Sequence, residues 1–153
     1  MEYTNLVRDF AQRTLANLEA IEAVVVNDAN AEVFEVTQLV NSMLGLLVFP
    51  QQRFFDSIPA TPVDELRRRG WPIPIMMGSP PNADSLRDLM RCLRNGISHC
   101  NIEFTSDGKQ LTGVRIWNYP PRSRIKNWEA LLGLSELRQL ARKFIMLLLE
   151  SNQ

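Results

Sequence analysis

Apolar residues return at helical spacing in four separate segments of this chain, and that periodicity constrains its fold more than any other feature. A stripe that recurs every three to four residues is buried only if the backbone is helical and a second surface covers it. The first segment carries Tyr3, Val7, Phe10, Leu18, Ile21 and Val25, with the small Thr14 filling one step. The second carries Val33, Val36, Val40, Met43, Leu44 and Leu47. The third carries Leu86, Leu89, Met90, Leu93 and Ile97, and the fourth Leu137, Leu140, Ala141, Phe144 and Leu148. The spacing predicts helices over residues 2–26, 31–49, 83–99 and 135–150. Asn30 is placed to cap the second helix, Asn82 or Asp84 to open the third, and Ser135 to cap the fourth. Pro50 ends or kinks the second helix, and Gln51 to Ile58 adds a short further turn.

Two interruptions separate these stripes. Six of the nine prolines fall between Ser57 and Pro81. Proline removes backbone donors and fixes φ, so this stretch reads as an ordered surface excursion with room for a short helix over Val63 to Arg69. Neither flank is self-sufficient as a core, so residues 1–153 are expected to form a single domain. The second interruption runs from Ile102 to Thr105, through Asp107-Gly108, and on from Leu111 to Trp117. Asp-Gly between alternating segments predicts a hairpin on a type I′ turn, which requires φ > 0 at both central positions. The expected fold class is mainly α, an up-and-down helical bundle with an inserted β-hairpin.

Composition removes several classes of function. Hydrophobic residues make up 45% and charged residues 22%, the balance of a chain that folds. The longest apolar run, Met43 to Phe49, falls far short of the roughly 20 residues a membrane span requires. The N-terminus carries Glu2 and Asp9 and no apolar core of a secretory signal. Two cysteines without a CxxC pair make no disulfide framework, so a reduced, cytoplasmic compartment is expected. No phosphate-binding loop, dinucleotide fingerprint, nucleophile elbow or HExxH motif occurs, and no cofactor is expected. The soft ligands are Cys92, His99 and Cys100 with no second histidine, so no metal site is expected either. The net charge of zero conceals an asymmetry: residues 1–50 sum to −5 and the remainder to +5. Either one face attracts a polyanion, or the two parts complement each other inside the fold.

The third helix gathers the polar chemistry. On a helical wheel, Arg87, Arg91, Arg94 and Ser98 form a basic face beside the apolar stripe, and Asp88, Cys92, Asn95 and His99 form another. Asn95 and His99 are an i, i+4 pair. Arg94 lies about 140° from His99, a gap that only its long side chain bridges, and Gly96 is placed to loosen the helix there. A second cluster runs from Arg115 to Trp128. Arg115, Trp117, Tyr119, Arg122, Arg124 and Lys126 interleave bases with aromatics and include no acid, a pattern that pairs phosphate contacts with base stacking. Arg67-Arg68-Arg69 with Trp71 is a smaller cluster of the same kind. Alternatively, the tryptophans are core anchors and the bases a solvated face.

The string Leu93-Arg94-Asn95-Gly96-Ile97-Ser98-His99 resembles the motif of the HEPN superfamily (higher eukaryotes and prokaryotes nucleotide-binding domains). In that motif an arginine is followed at once by a polar residue and, after four to six intervening residues, by a histidine; four residues stand between Arg94 and His99. Two longer stretches, EVTQLVNSMLGLLVFPQQRFFDSIP over 35–59 and LRNGISHCNIEFTSDGKQLTGVRIWN over 93–118, are similar to a small plasmid-associated branch of the superfamily. Cys100 departs from the small or apolar residue often found there. The resemblance implies a HEPN-like helical bundle and a metal-independent endoribonuclease, a toxin or defence component, that acts on single-stranded RNA. It implies catalytic roles for Arg94, Asn95 and His99; the residue pattern itself makes Arg91 and the Arg115–Lys126 strip the expected RNA contacts. It also implies a homodimer that brings two motifs together, and an antitoxin protein as a further partner. The alternative is a bundle of the same kind that binds RNA or protein without cleaving.

Overall fold

The structure is a computed structural model that describes residues 6–28, 32–48, 52–77 and 83–150. The elements in chain order are α1 (Leu6–Asn27), α2 (Glu35–Val48), α3 (Gln52–Ser57), α4 (Val63–Arg68), β1 (Ile75–Met77), α5 (Leu86–Ser98), β2 (Ile102–Ser106), β3 (Leu111–Asn118), β4 (Trp128–Gly133) and α6 (Leu134–Glu150). The stripes of α5 and α6 are buried as the spacing predicts. Leu89, Met90, Leu140, Ala141, Phe144 and Leu148 are fully enclosed, and each buried Leu, Met or Phe side chain contributes about 1.5–3 kcal/mol. The stripe of α1 is shorter than expected. Ala11, Thr14 and Leu18 are buried, whereas Val24, Val25 and Val26 are exposed at the far end of the helix. Residues 2–5, Asn30, Pro50 and Asn82 lie outside the described residues.

The largest correction concerns the β structure. The expected hairpin strands β2 and β3 are half of a four-stranded antiparallel sheet of order β1-β4-β3-β2. The protein is rich in helix, but an inserted hairpin does not describe it. Strand β4 carries no strand signal because Glu129-Ala130-Leu131-Leu132 is a run of good helix formers. Tertiary pairing overrides that preference: Trp128, Ala130 and Leu132 point inward and are buried, while Glu129 and Leu131 point outward. Strand β1 comes from the proline-rich stretch, which is therefore no mere surface excursion. Ile58 and Leu66 from that stretch are core residues, and Ile75 to Met77 pair with β4 at the edge of the sheet. An edge is where a strand preceded by Pro72 and Pro74 is tolerated.

The local signals also differ in detail. Helix α5 is capped by Ser85, whose Oγ accepts from the Asp88 N–H at 3.3 Å and donates to Asp88 Oδ2 at 2.6 Å. Ser135 sits inside the first turn of α6, and Gly133 precedes that helix with its N–H donating to Glu136 Oε2 at 2.8 Å. The turn between β2 and β3 is not type I′: Gly108 has φ 90, but Asp107 does not enter the left-handed region. Instead Asp107 Oδ1 accepts from the N–H groups of Lys109 and Gln110, each at 2.9 Å, and the ladder shifts register at Thr105/Ser106. A side chain that satisfies two loop donors makes the longer loop stable without the paired φ > 0 conformation.

The charge asymmetry is partly resolved inside the fold. Arg138 of α6 bonds Glu35 of α2, with Nε to Oε1 at 2.8 Å, and lies 3.5 Å from Glu22 of α1. Arg142 bonds Glu22 at 2.6 Å. Acids of the first third thus face bases of the last helix.

Candidate functional site

Helix α5 lies against the inner face of β3. Gly96 sets this distance: a Cβ there would stand 2.3 Å from Ile116 Cγ2 and 3.1 Å from the Trp117 carbonyl oxygen. The glycine does not loosen the helix, as the sequence reading expected; it lets helix and strand touch. Asn118 Nδ2 donates to the Cys92 carbonyl at 2.7 Å, and the Trp117 N–H donates to the Asn101 carbonyl at 3.1 Å. The segment from Arg94 to His99 is held between these two ties.

The end of α5 is a Schellman motif. The Cys100 N–H bonds the Ile97 carbonyl at 3.1 Å, and the Asn101 N–H bonds the Gly96 carbonyl at 2.8 Å. His99 is the C-cap, and Cys100 takes the left-handed position with φ 56, where glycine is usual. His99, Asn95, Arg91 and Ser98 are exposed, and Arg94 is half-buried. Arg94 lays its guanidinium over Phe55 of α3, 5.0 Å from the ring centre. Arg87 donates to the Ile58 carbonyl at 2.7 Å, and Arg91 pairs with Asp88 at 3.1 Å. The basic face of α5 is therefore lined by α3 on one flank. His99 falls within about 20° of Cys92 on the helical wheel, on the opposite flank, toward the sheet.

Burial pushes the Cys92 thiol up to about 11, against the lowering effect of its hydrogen bond with Asn118, so it stays protonated at neutral pH. Cys100 is exposed, and neither cysteine forms a disulfide. Among the described residues, no three His, Cys, Asp or Glu side chains gather where a metal ion could sit, and no helix is long and apolar enough to cross a membrane.

The basic-aromatic strip is split by the fold. Arg115 and Trp117 project from the outer face of the sheet, away from α5, as strand alternation requires. There Arg115 lies 3.6 Å from Glu103 of β2 and 3.5 Å from Glu129 of β4. Lys126 pairs with Glu129 at 2.7 Å and sits over the Trp117 ring at 4.7 Å. Tyr119, Arg122 and Arg124 belong to the loop after β3 and are exposed. Trp128 is a core anchor that donates to Met76 Sδ at 3.4 Å. Trp71 lies under Lys143, beside Arg69. Sequence reasoning missed Phe55, Glu103 and Glu129, because pairing across strands and between helices leaves no local signal.

An exposed amide, an exposed histidine and a half-buried arginine share helix α5, which is backed by a small antiparallel sheet in a helix-rich protein. Two depressions of about 470 and 460 Å³ lie along the α1–α2 seam and beside the β2–β3 turn, and neither is lined by Arg94, Asn95 or His99. A family model described as HEPN pEK499 p136 matches residues 1–153, and the chain belongs to that family. No curated protein and no solved structure matches it.

Proposed function

We propose that this protein is a metal-independent endoribonuclease acting on single-stranded RNA as a homodimer. The observation that carries the reading is the placement of Arg94 and His99 on opposite flanks of the exposed face of α5. One chain presents a single histidine on an open surface, whereas 2′-hydroxyl attack calls for both a base and an acid. A two-fold axis beside α5 would supply both from the two copies of His99. In this reaction the 2′-oxygen bonds to phosphorus as its proton passes to one imidazole. The 5′-oxygen leaves with a proton from the other. The products are a 2′,3′-cyclic phosphate and a 5′-hydroxyl. Arg94 offers a planar fork of donors to the phosphate oxygens as charge builds, and Asn95 orients the phosphate or the imidazole. Arg91 and the half of the Arg115–Lys126 strip that meets no carboxylate among the described residues contact RNA. A toxin or defence role, an antitoxin partner and a reduced, cytoplasmic location complete the proposal.

The second reading is a module that binds RNA or protein without cleaving, and the packing of Arg94 on Phe55 favours it, because a structural role also explains that contact. Incubating the protein with RNA in EDTA and analysing the fragment ends separates the two. Cyclic phosphate ends that disappear in His99→Ala support the enzyme. Binding with no new ends supports the module.

A further inference from the structure

The fold divides the basic-aromatic strip into a neutralised half and a free half. At the outer face of the sheet, Arg115 of β3 and Lys126 at the end of the following loop pair with Glu103 and Glu129, and these four charges cancel. In the loop from Tyr119 to Asn127, Arg122 and Arg124 meet no carboxylate among the described residues, and the loop contains no acid.

This loop is built rather than loose. The Asn127 N–H bonds the Asn118 carbonyl at 3.1 Å and closes its neck. The Ser123 N–H bonds the Pro120 carbonyl at 3.0 Å and closes a turn whose third residue, Arg122, has φ 62. Proline at the second position and a left-handed third residue are the marks of a type II turn, where glycine or asparagine is usual. An arginine held in that conformation presents its side chain to solvent. Ser123 Oγ accepts from the Ile125 N–H at 3.1 Å and fixes the next step of the chain. Tyr119, Ser123 and Arg124 then line a depression of about 370 Å³.

The neck of the loop stands against α5. Asn118, nearly buried, ties it to the Cys92 carbonyl, on the flank of the helix to which His99 belongs.

We propose that this depression holds one unpaired nucleobase of the RNA, with the Tyr119 ring stacked on the base and Arg122 and Arg124 on the neighbouring phosphates. The polymer's identity rests on the endoribonuclease reading above. An aromatic ring reaches the face of a base only where the base is unstacked, so the pocket selects single strands over A-form duplex. An acidic peptide would be held by the two arginines and would gain little from the ring.

The test uses the full chain and a fluorescein-labelled RNA strand with 2′-O-methyl groups throughout, which lacks the attacking hydroxyl and is bound without being cut. Anisotropy titrations across a salt series are expected to show Tyr119→Ala weakening binding about 5- to 150-fold with the salt slope unchanged. Tyr119→Phe, which keeps the ring, keeps the affinity. Arg122→Gly, which relaxes the turn, and Arg124→Ala each lower the slope by about 0.7. The same strand annealed to its complement is expected to bind wild type no better than Tyr119→Ala. Wild-type affinity in Tyr119→Ala, equal losses for strand and duplex, or tighter binding of a polyglutamate peptide of equal charge would each overturn the pocket. The two readings fail separately. Natural RNA left uncut despite Tyr119-dependent binding removes the nuclease and leaves the pocket. Natural RNA cut and bound at wild-type levels by Tyr119→Ala removes the pocket and leaves the nuclease.

Discussion

Arg94 rests its guanidinium on the ring of Phe55 and, in the proposed nuclease, also meets the phosphate of the RNA. A planar guanidinium suits both, because it stacks through its face and donates through its edge. Arg94→Lys keeps the charge and loses the fork. Cleavage should fall by about 10²–10³-fold, the usual effect of losing a donor aimed at developing charge. Single-turnover assays beside His99→Ala check this, and a Lys variant as active as wild type would reduce Arg94 to a structural role. Asp107 is a second residue with a definite expectation. The N–H groups of Gln110 and Lys109 hold its carboxyl below the usual range. A carboxyl depressed in the folded state adds stability that is complete above its unfolded pKa and is lost as pH falls through the folded value. The stability gap between wild type and Asp107→Asn, followed by urea unfolding, should hold steady above about pH 4 and close below it. A gap that widened on acidification would disprove the linkage.

Among the elements, α5 shows two substitutions with opposite expected signs. Alanine is the better helix former by about 1 kcal/mol, so Gly96→Ala would stabilise an isolated helix. Here the new Cβ meets a β-branched methyl at 2.3 Å and a backbone carbonyl at 3.1 Å, and neither yields easily. Overpacking costs about 1–3 kcal/mol, so the net effect is destabilising. At the end of the same helix, Cys100 occupies a left-handed position without being glycine. Cys100→Gly relieves about 1 kcal/mol and should raise the melting temperature by about 2–4 °C. Thermal denaturation of the pair checks both signs. A stabilised Gly96→Ala would mean that helix and strand separate readily, and an unstable Cys100→Gly would mean that the thiol packs.

For the whole molecule, the proposed two-fold axis beside α5 is the feature most open to test. Light scattering at micromolar concentration should give twice the 17.5 kDa chain mass. His99→Ala should keep that mass while losing cleavage. If association and melting temperature fall in step with activity, these residues hold the dimer instead. The ion pairs of Arg138 and Arg142 with Glu19, Glu22 and Glu35 join α1, α2 and α6 across the chain's two ends. Arg138 is about one-third exposed and Glu35 less, so Arg138→Met should cost about 1 kcal/mol after allowance for solvent screening. A loss that is erased in high salt, measured by urea unfolding, would confirm its electrostatic origin.

The sequence by itself determined the four long helices and the buried faces of α5 and α6, because a 3.6-residue period is a local property that any stretch of chain displays. It also set Arg94 and Asn95 in the last turns of one helix with His99 at its end, since residues so close in sequence fall within about two turns. Strands β1 and β4 were not legible. Their partners are distant in sequence, and Glu129-Ala130-Leu131-Leu132 prefers helix until Trp128 and Leu132 find a core to enter. The turn at Asp107 departs from type I′ because a side chain and not the backbone satisfies its donors. The strip from Arg115 to Lys126 looked uniformly basic in one dimension. Only the tertiary structure set Glu103 and Glu129 beside it, and only the packing of α3 put Phe55 under Arg94. Charge and stacking act through space, and the neighbours that neutralise or orient a side chain are chosen by the fold, not by proximity along the chain.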